Sequence, residues 1–199
     1  MKCNPAGIIR TSSLNERVRF KDGNTPDIIT AIMEMDKVGN EWVKQKGVEC
    51  LRGKDDYQTL RNVWRFVKSN VRYSPDRTGR EVVKSPGALF RIGVGDCKSF
   101  SIAEVSLLRA LGFKNIYYRF TSYKHDTIVT HVYVVVKLKG EEVYLDATHT
   151  KFDDEVRYTH KRDIKARSVA KVSGIGRTET ASNTKQVFGI ALLAWAILT

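Results

Sequence analysis

Apolar residues in the first third of the chain recur at the three- and four-residue spacing of α-helices. The tripeptide from Thr25 to Asp27 predicts a helix start, with proline at the first helical position. Gly39 interrupts the apolar stripe that follows. A second helix is predicted from Asp55, which with Gln58 resembles a capping box. We expect the two stripes to face a core; they are Ile28, Ile32, Met35 and Trp42, and then Leu60, Val63, Trp64, Val67 and Val71.

Two further helices are predicted after residue 84. Ser85-Pro86 starts a short helix that runs through Phe90. The next helix begins at Cys97 and is apolar on nearly every side, which is typical of a buried helix. Gly112 ends it, as glycine commonly does at a helix C-terminus. Its apolar residues are Phe100, Ile102, Ala103, Val105, Leu107, Leu108, Ala110 and Leu111.

Three β-strands are predicted after this helix, at Ile116–Thr121, Thr130–Leu138 and Glu142–Asp146. Lys139-Gly140, between the second and third strands, predicts a hairpin turn. Helices followed by strands indicate the α+β class rather than a doubly wound sheet.

The hairpin predicts which side chains meet across its two strands. If the turn has two residues, Leu138 pairs with Glu141, and Tyr133 then lies opposite Asp146. His131 is diagonal to Asp146 on the same face, about 7–8 Å away and within reach of its carboxylate. A three-residue turn places the two residues on opposite faces, so the register decides whether they meet.

Cys97 is the candidate nucleophile, because it follows Gly95-Asp96 at a predicted helix N-terminus. The partial positive charge of a helix N-terminus favours a thiolate. His131 and Asp146 follow along the chain, and cysteine, histidine and carboxylate together suit acyl transfer through a thioester. We expect His131 to accept the thiol proton and Asp146 to orient the imidazole.

Other residues compete for parts of this site. The Cys97 backbone N–H is one expected oxyanion donor, and Asn70 and Tyr73 are alternatives for the second. His149 lies close to Asp146 in sequence and competes with His131. We expect ordinary structural roles for two other histidines, His125 and His160.

Charge is concentrated late in the chain. The net charge of the chain is +12. Residues 157–177 hold seven basic residues and one acidic residue, and their net charge of +6 is half of the total. Few large apolar residues lie in this stretch, so we predict an exposed basic arm. Such an arm allows weak contact with nucleic acid, although no nucleic-acid-binding motif is present.

Three cysteines, widely spaced, indicate neither a disulfide framework nor a zinc knuckle. They favour a reducing, cytoplasmic compartment. Neither a cofactor nor a metal is predicted. The apolar run from Val187 to Leu198 is too short to span a membrane. We expect it to pack on the core or on a protein partner, with a shallow membrane anchor as the alternative.

Residues from about 56 to 148 resemble the transglutaminase-like superfamily, a branch of the papain-like thiol enzymes. The most specific segments are Gly95-Asp96-Cys97 and Leu107 to Phe113, which is similar to the family's LLRALG helix end. Further matching segments are Val71-Arg72-Tyr73, Ser85-Pro86, Leu89, Thr130 to Val134, and Tyr144 to Thr148, which resembles LDPT with alanine in place of proline.

The resemblance implies an α+β core in which a central Cys-bearing helix packs on an antiparallel sheet. It also implies a triad of Cys97, His131 and Asp146. The family includes protein cross-linkers, peptide hydrolases, amidases and inactive scaffolds. Small members of this kind also occur among phage proteins, so a virion-associated location is an alternative to the cytoplasm.

Together these features predict four regions: an N-terminal segment at 1–24, the core at 25–156, the basic arm at 157–183 and an apolar C-terminal helix at 184–199. The predicted function is thiol-dependent hydrolysis, or transamidation, of amide bonds in peptides or proteins. The alternatives are an inactive scaffold or virion component that assembles through the C-terminus, and a basic nucleic-acid-binding protein.

Overall fold

Six α-helices lie within the part of the chain that the computed structural model describes, which is residues 3–11, 17–21, 24–77, 79–124 and 129–167. They are α1 (Pro5–Ile8), α2 (Thr25–Val38), α3 (Gln45–Val48), α4 (Asp56–Asn70), α5 (Pro86–Ile92) and α6 (Cys97–Ala110). Two short 3₁₀ helices, at Gly39–Trp42 and Glu49–Leu51, join α2 to α3 and α3 to α4. None of the helices in these ranges is long and apolar enough to cross a bilayer.

Eight β-strands accompany these helices in the same ranges. They are β1 (Arg17–Lys21), β2 (Arg72–Tyr73), β3 (Arg80–Lys84), β4 (Val94–Gly95), β5 (Ile116–Ser122), β6 (His131–Leu138), β7 (Glu141–Leu145) and β8 (His160–Lys165). The main sheet is antiparallel with the order β7-β6-β5-β8, while β1 pairs with β3 and β2 pairs with β4. The predicted α+β class is confirmed.

Polar side chains fix the starts of the longer helices. Asn24 and Asp27 form a complete capping box at α2. Asp55 caps α4, where its Oδ1 accepts the Gln58 backbone N–H at 2.7 Å. The Gln58 side chain instead donates to Asn62 Oδ1, one turn further along. Residues close together in the sequence therefore determine where these helices start.

Helix α6 is the centre of the core. All but three of its 14 residues are buried, and it packs on β6 as well as on α2, α4 and α5. Its C-terminus closes in a Schellman motif, in which Phe113 N donates to Leu108 O at 3.0 Å. Gly112 takes the left-handed conformation that this motif requires, at φ +93°. The predicted buried Cys-bearing helix is confirmed.

The β6–β7 hairpin has the predicted two-residue turn. Leu138 pairs with Glu141, and the register continues to Val134 opposite Leu145. Lys139 and Gly140 both have positive φ, at 53° and 92°, as a type I′ turn requires. Val134 and Leu145 face the core, so alternation places His131 and Asp146 on the other face.

The basic arm was predicted to start at residue 157, but residues 160–165 form β8 at the edge of the main sheet. The predicted start of the arm is therefore too early. Asp163, the acidic residue of that stretch, binds Arg119 of β5 through two contacts of 2.8 and 2.7 Å. Charge counted along the sequence does not reveal this pairing, since Arg119 is 44 residues away and fully buried. The remainder of the arm after residue 167 and the predicted C-terminal helix lie outside the described residues.

Cys3 and Cys50 form a disulfide, with their Cα atoms 5.9 Å apart across 47 residues of sequence. The expectation that the cysteines stay unpaired is therefore wrong, and they no longer argue for a reducing compartment. Ile8 and Ile9 of the N-terminal segment are buried in the core, and Ile9 bridges to Val43. This packing brings the two cysteines together, and Cys97 is the free cysteine.

Candidate active site

Cys97 is the first residue of α6 and is partly buried. Asp96 caps the helix, where its Oδ1 accepts the Ser99 backbone N–H at 3.2 Å and the Ser99 hydroxyl at 3.0 Å. Gly95 pairs with Tyr73 in the β2–β4 ladder, and a Cβ at this position would collide with the Leu89 side chain. In this tripeptide, Gly95 allows close packing, Asp96 caps the helix and Cys97 is the candidate nucleophile.

A buried cation lies beside the candidate nucleophile. Lys98 Nζ is 2.7 Å from Glu81 Oε2 and 3.2 Å from Asp76 Oδ2, and it also contacts Asp96 Oδ2. Burial lowers the pKa of Lys98, but the carboxylates and Cys97 outweigh burial and hold that pKa well above its usual value. Burial also raises the pKa of Asp96, against the opposing effect of Lys98.

This ion cluster is not predictable from the spacing of charged residues along the sequence. A lysine in the first turn of a helix predicted to be buried was the available signal, and its partners Asp76 and Glu81 come from a separate part of the chain.

His131 and Asp146 are in direct contact, with His131 Nε2 2.6 Å from Asp146 Oδ2. The second carboxylate oxygen of Asp146 accepts the backbone N–H and the hydroxyl of Thr148, at 3.0 and 2.6 Å. The Asp146 backbone carbonyl accepts the indole N–H of Trp64 at 2.8 Å. The carboxylate is therefore held from both sides, with one oxygen directed at the imidazole.

The imidazole of His131 also interacts electrostatically with the Cys97 side chain, and the two residues line the same cleft. Burial lowers the pKa of His131, but its interactions with Asp146 and Cys97 outweigh burial and raise it to about 10. Burial likewise raises the pKa of Asp146, while its contacts with His131 and Thr148 bring that pKa below the ordinary value. This environment favours an imidazolium beside a carboxylate at neutral pH.

The competing residues have other partners. His149 faces Asp154, with its Nδ1 3.5 Å from Asp154 Oδ2. The Asn70 amide donates to the Phe66 carbonyl at 2.8 Å. His160 lies exposed at the start of β8, and His125 is outside the described residues.

Aromatic rings surround His131. Tyr123 and Tyr133 place their ring centroids 5.9 and 5.7 Å from that of the imidazole. Tyr73 packs edge-on against Phe100 at 6.1 Å, and 44% of its surface is exposed. Burial raises the pKa of Tyr73, and the negative charge of Cys97, Asp96 and Asp146 adds to this effect. The Tyr73 phenol is therefore protonated at neutral pH.

A cleft opens beside Cys97 and His131. Its apolar wall is formed by Ile28 and Ile29 of α2 and by Val129, just before β6. Within the described ranges, no group of three or more His, Cys, Asp or Glu side chains is placed to hold a metal ion.

The sequence model of the Transglutaminase-like superfamily matches residues 48–149. No protein with a curated description matches the chain. Among solved structures, the chain is similar to LapG of Legionella pneumophila, with 20% identity and a TM-score of 0.45, over 61% of this chain and 75% of LapG.

Two other solved structures are similar at a comparable level. A candidate cysteine protease from Cytophaga hutchinsonii has 19% identity and a TM-score of 0.42, over 67% of this chain and 49% of its own length. Menin, in a structure that shows its binding site for the Mixed Lineage Leukemia protein, has 14% identity and a TM-score of 0.36, over 70% of this chain and 35% of menin. The sequence match spans half of the chain and includes Cys97, His131 and Asp146, so the chain belongs to the transglutaminase-like superfamily.

Proposed function

We propose that the protein is a thiol enzyme that hydrolyses amide bonds of peptides or proteins through a thioester on Cys97. The observation that supports this most strongly is the 2.6 Å contact of His131 with Asp146, at a cleft that Cys97 and His131 line together. A free cysteine at a helix N-terminus, a general base and a group that orients the base are the components of nucleophilic acyl transfer.

In the proposed reaction, His131 holds the thiol proton, as its raised pKa favours, and the Cys97 sulfur attacks the carbonyl carbon of the substrate amide. The new S–C bond moves an electron pair onto the carbonyl oxygen. When the carbonyl re-forms, the C–N bond breaks and His131 gives the proton to the leaving amine. Water then attacks the thioester, with His131 taking its proton, and releases a carboxylic acid and the Cys97 thiol.

Asp146 is proposed to keep the imidazole in one orientation and to stabilise its cationic form. Nε2 of His131 faces Asp146, which leaves Nδ1 as the nitrogen that exchanges protons with the sulfur. A carboxylate in this position does not itself take the proton.

We infer that Tyr73 rather than Asn70 is the second oxyanion donor, beside the Cys97 backbone N–H. Its phenol is protonated, half-exposed and electrostatically coupled to Cys97, whereas the Asn70 amide is engaged by Phe66. Tyr73→Phe should then lower kcat by about 100-fold, as removal of one such donor does, with KM within about threefold. An unchanged kcat contradicts this role.

Water is the favoured acceptor, and added amines test it. The full chain is incubated with casein and with glutamine-containing peptides, and Cys97→Ala is the matched control. Mass spectrometry should detect cleavage, or conversion of amide to acid, with the unaltered chain alone. If a primary amine is incorporated in preference to water, the enzyme is a transamidase.

The inactive-scaffold alternative predicts a different result. A peptide vinyl sulfone then leaves Cys97 unmodified, and none of the substrates changes in a Cys97-dependent way. The unreduced enzyme should instead take up the probe at Cys97, because the other two cysteines form a disulfide.

A further inference from the structure

Arg119 of β5 is a fully buried cation in the main sheet. On β8, Asp163 lies opposite Arg119 and accepts two of its N–H groups, at 2.8 and 2.7 Å. Arg119 Nη2 is also 2.9 Å from Glu142 Oε2 on β7. Nη1 donates to Oε1 of Glu155, in the segment between β7 and β8, at 2.7 Å. One guanidinium therefore binds three carboxylates, which come from β7, from β8 and from the segment between them.

Glu155 connects this cluster to Tyr133 of β6. The Glu155 oxygen that accepts from Arg119 also accepts the Tyr133 hydroxyl, at 2.5 Å. Tyr133 lies directly opposite Arg119 in the β5–β6 register, and it is 3% exposed. Burial raises the pKa of Tyr133, and the hydrogen bond to Glu155 adds to this effect, so the hydroxyl remains a donor at neutral pH. The Tyr133 side chain is therefore fixed at its far end.

The ring of Tyr133 lies beside the imidazole of His131. Both residues are on β6, two positions apart and thus on one face of the sheet. Their ring centroids are 5.7 Å apart and their planes are inclined by 33°, which is within the range of aromatic contacts. Asp146 binds the imidazole through Nε2 at 2.6 Å, and Tyr133 limits where the rest of the ring can lie.

We propose that Tyr133 is a positioning residue that keeps the imidazole of His131 aligned with Asp146. The position of Tyr133 is in turn set by Glu155, which Arg119 holds in place. This inference rests on the triad of the proposed function. It gives the buried guanidinium a part in the site that requires no contact with the substrate or with the reacting atoms.

Stability alone does not account for this cluster. Desolvation of a buried ion pair offsets the attraction between its charges, and apolar residues of similar volume are often at least as stabilising. The Arg119 side chain is fully buried, so it bears the whole of this cost. What the cluster supplies is direction, because a guanidinium is a rigid fork whose donors have a fixed geometry. Glu155, bound to one arm of that fork, presents its oxygen to Tyr133 at a defined position.

The first test removes the hydroxyl of Tyr133 and keeps its ring. In Tyr133→Phe the imidazole is less constrained and binds Asp146 less well, so the pKa of His131 should fall from about 10 by about half a unit or more. NMR titration of the His131 ring protons in the full, unreduced chain measures this change. The other titratable groups around His131 are unaltered in this variant; they are Cys97, Glu104, Tyr123 and Asp146.

Activity gives a second readout of the same variant. On a peptide that the unaltered enzyme cleaves, Tyr133→Phe should lower kcat by about tenfold with KM within about threefold, since displacement of catalytic groups by 1 Å can cost about 100-fold. Tyr144→Phe is the matched control, because the Tyr144 hydroxyl donates to Glu142 of the same cluster at 3.4 Å. Tyr144 pairs with Val135, four residues along β6 from His131, so this variant should keep both the His131 pKa and kcat.

Two substitutions of Glu155 separate position from charge. Glu155→Gln is neutral but keeps an oxygen that accepts from Tyr133, so the pKa of His131 should stay at its unaltered value. Glu155→Ala removes the acceptor and should reproduce the shift of Tyr133→Phe. Combined with Tyr133→Phe it should add little, because both changes act through one contact. If Glu155→Gln shifts the pKa as far as Glu155→Ala does, Glu155 acts on His131 by charge, and the positioning role is wrong.

A folded Tyr133→Phe protein with the His131 pKa and kcat of the unaltered chain overturns the proposal. If the variants do not fold, nuclear Overhauser effects between the ring protons of Tyr133 and His131 in the unaltered protein support the contact, and their absence overturns it. These NMR measurements need no substrate. A shifted His131 pKa in a protein without hydrolase activity therefore refutes the proposed function and leaves the positioning role intact.

Discussion

At the scale of single residues, the site depends on how His131 is surrounded. The imidazole is largely buried, yet its interactions with Asp146 and Cys97 raise its pKa to about 10. Lys98, with its three carboxylates, holds a compensated charge beside the same sulfur. Cations and carboxylates of this site are therefore in direct contact, and removal of one of them alters the protonation of its partners.

Asp146→Asn tests this coupling by activity. The amide cannot stabilise an imidazolium, so we expect kcat to fall by roughly 10³- to 10⁴-fold, as it does when a triad carboxylate becomes an amide. The pKa of His131 should fall at the same time, which NMR titration of the ring protons measures directly. A variant with near-normal kcat contradicts the role of Asp146.

Asp146→Asn should also change the free energy of unfolding in a pH-dependent way. Since the folded-state pKa of His131 is raised from 6.5 to about 10, its stabilising contribution is full below pH 6.5 and is lost as the pH rises towards 10. Asp146→Asn should therefore be destabilising at pH 6 and less so at pH 10. Urea denaturation of both proteins across this range measures the difference, and a difference independent of pH contradicts the linkage.

At the scale of elements, the β6–β7 hairpin decides whether His131 meets Asp146. Its two-residue turn sets the register that puts His131 and Asp146 on one face. Lys139 and Gly140 adopt positive φ, and this type of turn matches the twist of the strands that it joins. A change in turn length would therefore change which side chains lie beside His131.

Insertion of one glycine between Lys139 and Gly140 tests this dependence. If the new register shifts by one residue, alternate side chains exchange faces, and Asp146 leaves His131. We expect kcat to fall at least as far as in Asp146→Asn, in a protein that retains its circular dichroism spectrum. Lys139→Asn, which suits the same turn, is the control and should keep full activity. Full activity in the insertion variant would show that the register does not control the site.

At the scale of the whole molecule, the disulfide joins the N-terminal segment to the core. The bond closes a loop of 47 residues, for which the chain-entropy relation gives a stabilisation of about 4 kcal/mol. Reduction, or the variant with Cys3→Ser and Cys50→Ser, should lower the thermal midpoint by several degrees while Cys97 remains reactive. Cys97→Ser is the matched control, because it removes the free cysteine and leaves the bond. An unchanged midpoint in the double variant contradicts a stabilising disulfide.

Much of the architecture follows from local sequence. Helix caps, the Schellman end at Gly112 and the hairpin turn depend on residues within a few positions of each other, so their geometry is encoded where they occur. The contact of His131 with Asp146 belongs to this group, because a two-residue turn and strand alternation are enough to predict it.

Two features were decided by tertiary structure alone. The Cys3–Cys50 bond depends on Ile8 and Ile9 entering the core, and β8 depends on Asp163 reaching Arg119. Each joins residues at least 40 positions apart, and such pairs form only when burial of apolar surface brings their elements together, which neither periodicity nor charge counts can specify.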